Sequence, residues 1–189
     1  MTNYFKNKID KDYANNSATK IRWDKTLEFM GRGVNFKSAL DIGDRTGLTE
    51  MMEDKYGVKF DNTQGDLDKI ELKGNYDLVT SFEVLEHLFN HLFNLEQINN
   101  VLNQNGYLFL STPMAKPDFL WAKKHFHEMS KRSIYALFES AGFKILRHGY
   151  FRVHPFLFYT SGIRPLVRFF LDKIQIYELV NVNSLIDGR

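Results

Sequence analysis

Cysteine is absent from this chain, and with it every chemistry that needs a thiol. The 189 residues contain no Cys, which excludes disulfide bridges, thiolate zinc sites and a cysteine nucleophile. Proteins of reducing compartments do not depend on disulfides. The composition therefore fits a cytoplasmic protein, which is the location we expect.

Long apolar runs and an excess of one charge are absent as well. No uncharged apolar run approaches the roughly 20 residues that span a bilayer, and the N-terminus lacks the apolar core of a signal peptide. The formal net charge is only +2, far from the strongly basic balance of proteins that bind nucleic-acid backbone over a wide area. We therefore expect no membrane span and no dedicated nucleic-acid partner.

Apolar residues are plentiful enough for a sizeable core. They make up 43% of the chain, and the length is that of about one domain. We expect a single domain over residues 1–189. It would consist of a helical N-terminal cap (1–34), a cofactor-binding core (35–150) and a C-terminal segment (151–189).

Short apolar runs alternate along the chain with segments of helical periodicity. The predicted strands cover 34–42, 58–61, 76–81, 107–111 and a run from 143, and the predicted helices cover 18–30, 48–56, 83–102 and 130–140. This alternation is typical of a Rossmann-like, doubly wound α/β fold, a mostly parallel sheet with helices on both faces that binds ligands at the carboxyl ends of its strands.

The middle β-α unit is shortened. The gap after Asp61 is too short for a normal crossover helix. Either the helix has been reduced to a loop, or residues 58–68 form one irregular edge.

A glycine-containing loop follows the first predicted strand. It reads Gly43-Asp44-Arg45-Thr46-Gly47 and leads into a helix. Glycine lets the backbone approach a ligand closely, and the N–H groups that begin a helix favour an anionic group. Arg45 stands where such loops usually carry a middle glycine. Its side chain could point outward, pair with the cofactor's carboxylate or a nearby acidic group, or block the site.

Four sequence blocks together resemble the class I S-adenosylmethionine-dependent methyltransferases, including small-molecule and ubiquinone-pathway enzymes. The blocks are Leu40 to Gly47, Tyr76 to His87, Gly106 to Pro113, and His125 to Ser130 with Leu137 to Phe143. A nicotinamide-binding domain fits less well because its glycine fingerprint is spaced differently. The resemblance implies methyl transfer to an oxygen or nitrogen of a small or lipid-like acceptor; the alternative is a non-catalytic binding module of the same fold.

The resemblance also implies which residues bind S-adenosylmethionine. They are Asp41, Gly43, Asp44, Arg45, Thr46, Gly47, Asp61, Asp66, Leu67, Ser81 and Phe82. Asp41, Gly43 and Gly47 would surround the methionine part. Asp61 would bind the ribose hydroxyls, and Asp66 and Leu67 would meet the adenine. The shortened crossover leaves room for only one of the two aspartates at the ligand.

An acidic and histidine-containing motif follows the third predicted strand. Glu83, Glu86 and His87 would share one face of a predicted helix. The motif resembles small-RNA 2′-O-methyltransferases and ubiquinone-pathway O-methyltransferases, in which such residues bind a divalent metal near the acceptor hydroxyl. This implies Glu83, Glu86, His87 and either His125 or His127 as ligands. Without a metal, we expect His87 and Glu83 to act in acid–base catalysis, or the motif to cap and pack at this corner.

The C-terminal segment is aromatic and basic. Four uses stay open for it: the last strands of the sheet, an amphipathic lid over the acceptor pocket, a homodimer contact, and peripheral membrane contact through residues 156–180.

Overall fold

The computed structural model describes residues 17–31, 33–122, 124–154 and 156–182. Its helices are α1 (Ser17–Met30), α2 (Gly47–Tyr56), α3 (His91–Val101), α4 (Lys131–Ser140), α5 (Phe156–Tyr159) and α6 (Ile163–Leu171). Its strands are β1 (Ala39–Asp41), β2 (Phe60–Asn62), β3 (Tyr76–Phe82), β4 (Leu102–Pro113), β5 (Phe143–Phe151) and β6 (Ile174–Asn181). The first part of the predicted N-terminal cap and the end of the C-terminal segment lie outside the described residues.

The six strands form one sheet in the order β2-β1-β3-β4-β6-β5. The first four strands are parallel neighbours. β6 lies between β4 and β5 and runs antiparallel to both. The predicted Rossmann-like α/β fold is confirmed, with an antiparallel end added to its parallel half.

Helices cover both faces of the sheet because successive strand residues point to opposite sides. In β4, Leu108 belongs to one apolar cluster and its neighbour Phe109 to another. The first cluster includes Leu95 of α3 and Phe138 of α4, and the second includes Met30 of α1 and Met52 of α2. The sheet therefore has two apolar layers, as a doubly wound fold requires.

The crossover from β2 to β3 contains no helix in residues 63–75, all of which are described. Asp68 fastens this loop to the beginning of α3, because its Oδ1 accepts hydrogen bonds from the N–H groups of Phe89 (2.9 Å) and Asn90 (2.7 Å). Of the two alternatives for this region, the structure has the shortened crossover.

Two sequence predictions are wrong in detail. The long helix predicted from Glu83 begins only at His91, after a 3-10 turn at Leu85–His87. Glu83 has a φ of 58°, a left-handed conformation that an α-helix does not continue through. The strand predicted over 107–111 is longer, Leu102–Pro113, and its pairing with β3 shifts register between Leu102 and Tyr107.

The C-terminal segment supplies both a helix and the last strand. The ends of β4 and β5, at Pro113 and Phe151, both pair with Ile174 at the beginning of β6. The α5–α6 segment between β5 and β6 therefore lies at the carboxyl edge of the parallel strands. Within the described residues, no helix is long and apolar enough to cross a membrane.

Candidate active site

The glycine loop is a tightly hydrogen-bonded turn between β1 and α2. Gly43 has a φ of 107°, open mainly to glycine, and its N–H donates to Thr63 Oγ1 at 2.7 Å. The Thr46 hydroxyl caps α2 by accepting from the N–H of Thr49, whose own Oγ1 accepts from the N–H of Thr46 at 3.0 Å. This reciprocal cap gives the loop one defined shape.

Asp41 anchors the loop from below. Its carboxylate is buried and accepts hydrogen bonds from the hydroxyls of Thr49 (2.6 Å) and Thr80 (2.7 Å). Burial raises the pKa of Asp41 to about 6, against the opposing effect of these hydroxyls. The side chain thereby joins β1 to α2 and to β3, directly beneath the predicted methionine subsite.

Arg45 forms an ion pair with a glutamate of α2. Its guanidinium donates to both oxygens of Glu53, at 2.9 and 2.7 Å. Glu53 also accepts from Lys59 Nζ at 2.6 Å and from the N–H of Phe60 at 3.0 Å. These hydrogen bonds, led by those from Arg45, hold the pKa of Glu53 well below its usual range. Among the three possibilities for Arg45, the structure has pairing with a nearby acidic group.

Helix α1 lies over the loop, which the sequence did not indicate. A Cβ built on Gly47 would come within 2.8 Å of the Trp23 ring, so the missing side chain makes room for α1. One residue earlier in α1, Arg22 Nη1 lies 3.4 Å from Glu83 Oε2. Trp23 lies in the helix predicted over residues 18–30, but no sequence motif links it to the glycine loop.

The end of β2 contributes Asn62 to the loop. Asn62 Nδ2 donates to the carbonyl of Gly43 at 3.3 Å. Asp61, the predicted ribose ligand, points to the other face and accepts from the Tyr76 hydroxyl at 3.0 Å. Neighbouring residues in a strand face opposite sides of the sheet. Only one of Asp61 and Asn62 can therefore face the glycine loop, and it is Asn62 that does so.

The predicted adenine residues lie in the crossover loop. Asp66 is exposed and pairs with Lys69 at 3.1 Å. Leu67 packs against the apolar cluster of α3 and α4. Both stay predictions, since neither makes a contact with the glycine loop that would link it to the same ligand.

The end of β3 brings two predicted cofactor residues and Glu83 to the same edge. Ser81 is buried, and its hydroxyl has no hydrogen-bond partner within the described part of the chain. Phe82 packs against the cluster of α1 and α2. Two hydrogen bonds with Ser111, both of 3.0 Å, hold the left-handed backbone of Glu83. The Ser111 hydroxyl donates to Glu83 Oε1, and the Ser111 carbonyl accepts from the Glu83 N–H. Such a strained residue is typical of a functional site.

Glu86, His87 and His125 converge just beyond this edge. Possible ligand atoms of the three lie within 4.8 Å of one another. Glu86 is buried, accepts from Thr112 Oγ1 at 3.2 Å, and has a pKa raised well above its usual value, first by burial and then by the charge of Glu83. The three residues meet through a 3-10 turn and a loop, instead of through one helix face as predicted.

Both histidines are oriented by oxygen acceptors on Nδ1. His87 Nδ1 lies 2.9 Å from the carbonyl of Lys124, which can only accept, so His87 carries its proton there. His125 Nδ1 lies 2.8 Å from Glu128 Oε1. This leaves Nε2 of each ring as the available nitrogen, the arrangement found around metal-bound histidines. Burial lowers the pKa of His87, which favours the neutral ring.

The other two predicted metal ligands have different partners. His127 packs its ring 4.7 Å from that of His91. Glu83 binds Ser111 and Arg22. Glu128 lies within the fourth sequence block, but its contact with His125 was not predicted. Lys116, which contacts Glu128 at 3.4 Å, lies outside the four blocks.

A doubly wound sheet with a glycine loop at the carboxyl end of β1, and with acidic and histidine side chains beyond β3, defines a cofactor-binding α/β enzyme. A family model described as "Methyltransferase domain" matches residues 13–148. The chain belongs to this family, and it is a class I methyltransferase, the enzyme class that uses S-adenosylmethionine. A search of curated protein sequences found no match.

Solved structures of methyltransferases share the fold. The N-methyltransferase NodS from Bradyrhizobium japonicum, in complex with S-adenosylhomocysteine, is 11% identical with a TM-score of 0.64 and coverage of 93% of each chain. Coclaurine N-methyltransferase, bound to N-methylheliamine and S-adenosylhomocysteine, is 12% identical (TM-score 0.60, 86% of this chain and 73% of that one). The O-methyltransferase of a Brevibacillus brevis trans-AT PKS multienzyme, with S-adenosylhomocysteine, is 10% identical (TM-score 0.56, 88% and 72%).

Proposed function

We propose that this chain binds S-adenosylmethionine at the Gly43–Gly47 loop and transfers its methyl group to an oxygen or nitrogen of a small or lipid-like acceptor. The observation that carries the proposal is the ordered loop itself, with Gly43 in a glycine conformation and Asp41 fixed beneath it. The family implies the cofactor, and O- and N-methyltransferases both occur among the similar structures.

The residues at the loop fit the cofactor. Gly43 leaves open backbone at the proposed methionine subsite, since the nearest atom to its Cβ position is 4.0 Å away. The guanidinium of Arg45 is held by Glu53, which supports an unblocked loop. The cofactor supplies a methyl group already activated by its sulfonium. The protein's part is then to hold the acceptor in line with that group and to exclude water. Arg45 and the shortened middle of the sheet were the reasons to consider a non-catalytic module, and the pairing of Arg45 with Glu53 argues against the first of them.

We further propose a divalent-metal site formed by Glu86, His87 and His125 on the acceptor side. One carboxylate and two imidazole nitrogens suit zinc, manganese or magnesium in decreasing order of nitrogen preference. The supporting observation is that both rings have Nδ1 engaged and Nε2 available. A bound metal would lower the pKa of an acceptor hydroxyl. Without one, neutral His87 could accept the acceptor's proton.

Calorimetry with S-adenosylhomocysteine tests the cofactor proposal. The wild-type protein is expected to bind, whereas Gly43→Ala, which puts a Cβ on a residue with a φ of 107°, is expected to lose at least about tenfold in affinity. Gly57→Ala is the matched control, because Gly57 also has a positive φ (67°), has nothing within 4 Å of its Cβ position, and lies at the end of α2 that is away from the loop. No heat and no thermal shift at millimolar ligand would contradict the proposal, as would equal losses in the two variants.

A further inference from the structure

Helix α6 exposes a continuous apolar stripe. Ile163, Leu166, Val167 and Phe170 are 83%, 50%, 39% and 62% exposed. Their spacing of three and four residues puts them on one side of the helix. In most helices of globular proteins, that apolar side packs against the core. Here it faces away from the described residues.

The other side of α6 attaches the helix to the protein. The ring of Phe169 lies 5.2 Å from that of Tyr159, and the guanidinium of Arg152 stacks 4.1 Å from the Phe169 ring. Arg152 Nε also donates to the carbonyl of Phe169 at 2.6 Å. These contacts hold the helix without using the stripe, so the exposed residues are available to a partner.

The C-terminal end of α6 is linked to the candidate active site. Lys116 is buried and contacts Asp172, just after α6, at 2.9 Å and Glu128 at 3.4 Å. Glu128 in turn holds His125. Phe119, in the loop that leaves the same edge after β4, is 80% exposed. The end of α6 and His125 are therefore connected through one ion-pair network, whose central residues Lys116 and Glu128 have buried side chains.

The charge of this segment identifies the kind of partner. Residues 150–173 contain Arg152, Arg164, Arg168 and Lys173 but a single acidic residue, Asp172, a net charge of +3 in a chain whose total is +2. An apolar helix face within a basic segment is typical of helices that lie on anionic membranes. A second copy would bring a segment of the same charge against it, which is unfavourable.

We propose that α6 docks the protein on an anionic lipid surface, with Ile163, Leu166, Val167 and Phe170 entering the headgroup region. Docking would bring to the membrane the helix whose end is linked to His125 through Lys116 and Glu128. The docking does not depend on methyl transfer and is measured without it.

Vesicle co-sedimentation of the full chain tests this inference. The wild-type protein is expected to bind phosphatidylcholine vesicles that contain about one-third phosphatidylglycerol, and to bind pure phosphatidylcholine at least about tenfold more weakly. Leu166→Glu with Phe170→Glu is expected to lower the partition coefficient for anionic vesicles at least about tenfold. Leu146→Glu is the matched control: Leu146 is 49% exposed, on β5 outside the stripe, and its variant should bind like wild type.

Three results would overturn the inference. The first is no binding of the wild type to anionic vesicles. The second is an equal loss in the double variant and in Leu146→Glu. The third is a dimer, seen by light scattering without vesicles, that the double variant alone dissociates, because the occupant would then be a second copy. Circular dichroism checks folding, and Ile163→Ser, at the most exposed position of the stripe, repeats the test if the double variant is unfolded.

Discussion

The guanidinium of Arg45 and the carboxylate of Glu53 meet through two hydrogen bonds of 2.9 and 2.7 Å. The arginine thus fastens the glycine loop to α2. Through the N–H of Phe60, the same carboxylate also reaches β2. Arg45, which the sequence left as a possible obstacle in the loop, is instead held against α2.

Replacement of Arg45 by Ala should weaken cofactor binding only indirectly. The loop loses its fastening to α2, so we expect a lower melting temperature and an affinity for S-adenosylhomocysteine reduced by less than about tenfold. Lys59→Ala, which removes a more exposed partner of Glu53, is the control and should change both values less. A loss of more than about a hundredfold in Arg45→Ala would instead indicate direct contact with the cofactor.

The free energy of unfolding should depend on pH through the ionisation of Asp41. Burial raises its pKa to about 6 in the folded state, so the folded protein holds this proton more tightly than the unfolded chain does. The contribution to folding is full below about pH 4 and is lost as the pH rises through about 6. The free energy of unfolding of the wild type, relative to Asp41→Asn, should fall by about 2 kcal/mol between pH 4 and 7.

Urea unfolding of both proteins across that range measures the difference. If the difference in free energy of unfolding between the two proteins is the same at every pH, Asp41 ionises alike in the folded and unfolded states. If the wild type gains stability relative to Asp41→Asn as the pH rises, folding lowers the pKa of Asp41 and the prediction is wrong.

Gly47→Ala should destabilise the contact between the loop and α1. The new Cβ would lie 2.8 Å from the Trp23 ring, and such overpacking typically costs about 1–3 kcal/mol. Trp23→Leu removes the ring, so the double variant should recover at least about 0.5 kcal/mol of the expected sum. Gly33→Ala is the control, because nothing lies within 4 Å of its Cβ position. Strictly additive effects in urea unfolding would contradict the packing explanation.

Metal binding should depend on His125 and not on His127. The ring of His125 lies 5.2 Å from that of His87, whereas His127 packs against His91. After metal loading and gel filtration, we expect about one equivalent of zinc or manganese in the wild type and in His127→Ala. In His125→Ala, the affinity should fall at least about tenfold. Elemental analysis and calorimetry measure both. An equal effect of the two substitutions, or a metal-free wild type, would reject the site.

The residues around the glycine loop were readable because their pattern is local. The apolar run to Ile42, the two glycines and the helical spacing from Leu48 lie within a few positions of one another, and the structure has the strand, loop and helix that they predict. The Thr46 cap was not predicted. The structure of the residues after β3 was not predicted correctly from the sequence. The periodicity of the apolar residues continues back through Leu88 and Leu85, but the backbone of Glu83 is left-handed, so the helix begins later.

The sequence also did not decide which histidine, His125 or His127, lies near Glu86 and His87. His125 and His127 are both candidates in the sequence because they are identical in type and two residues apart. A loop puts consecutive side chains in unrelated directions, so only its path past Glu86 selects His125.

The amino-acid order was sufficient for the fold class, the glycine loop and the methyltransferase family, because strand, turn and helix patterns depend on near neighbours. The partner of Arg45, the packing of Trp23 on Gly47, the convergence of Glu86, His87 and His125, and the outward stripe of α6 all depend on contacts between distant segments. Those contacts form only when folding brings segments that are distant in the sequence next to one another at the carboxyl edge of the sheet. The chain's local patterns do not specify which side chains will meet there.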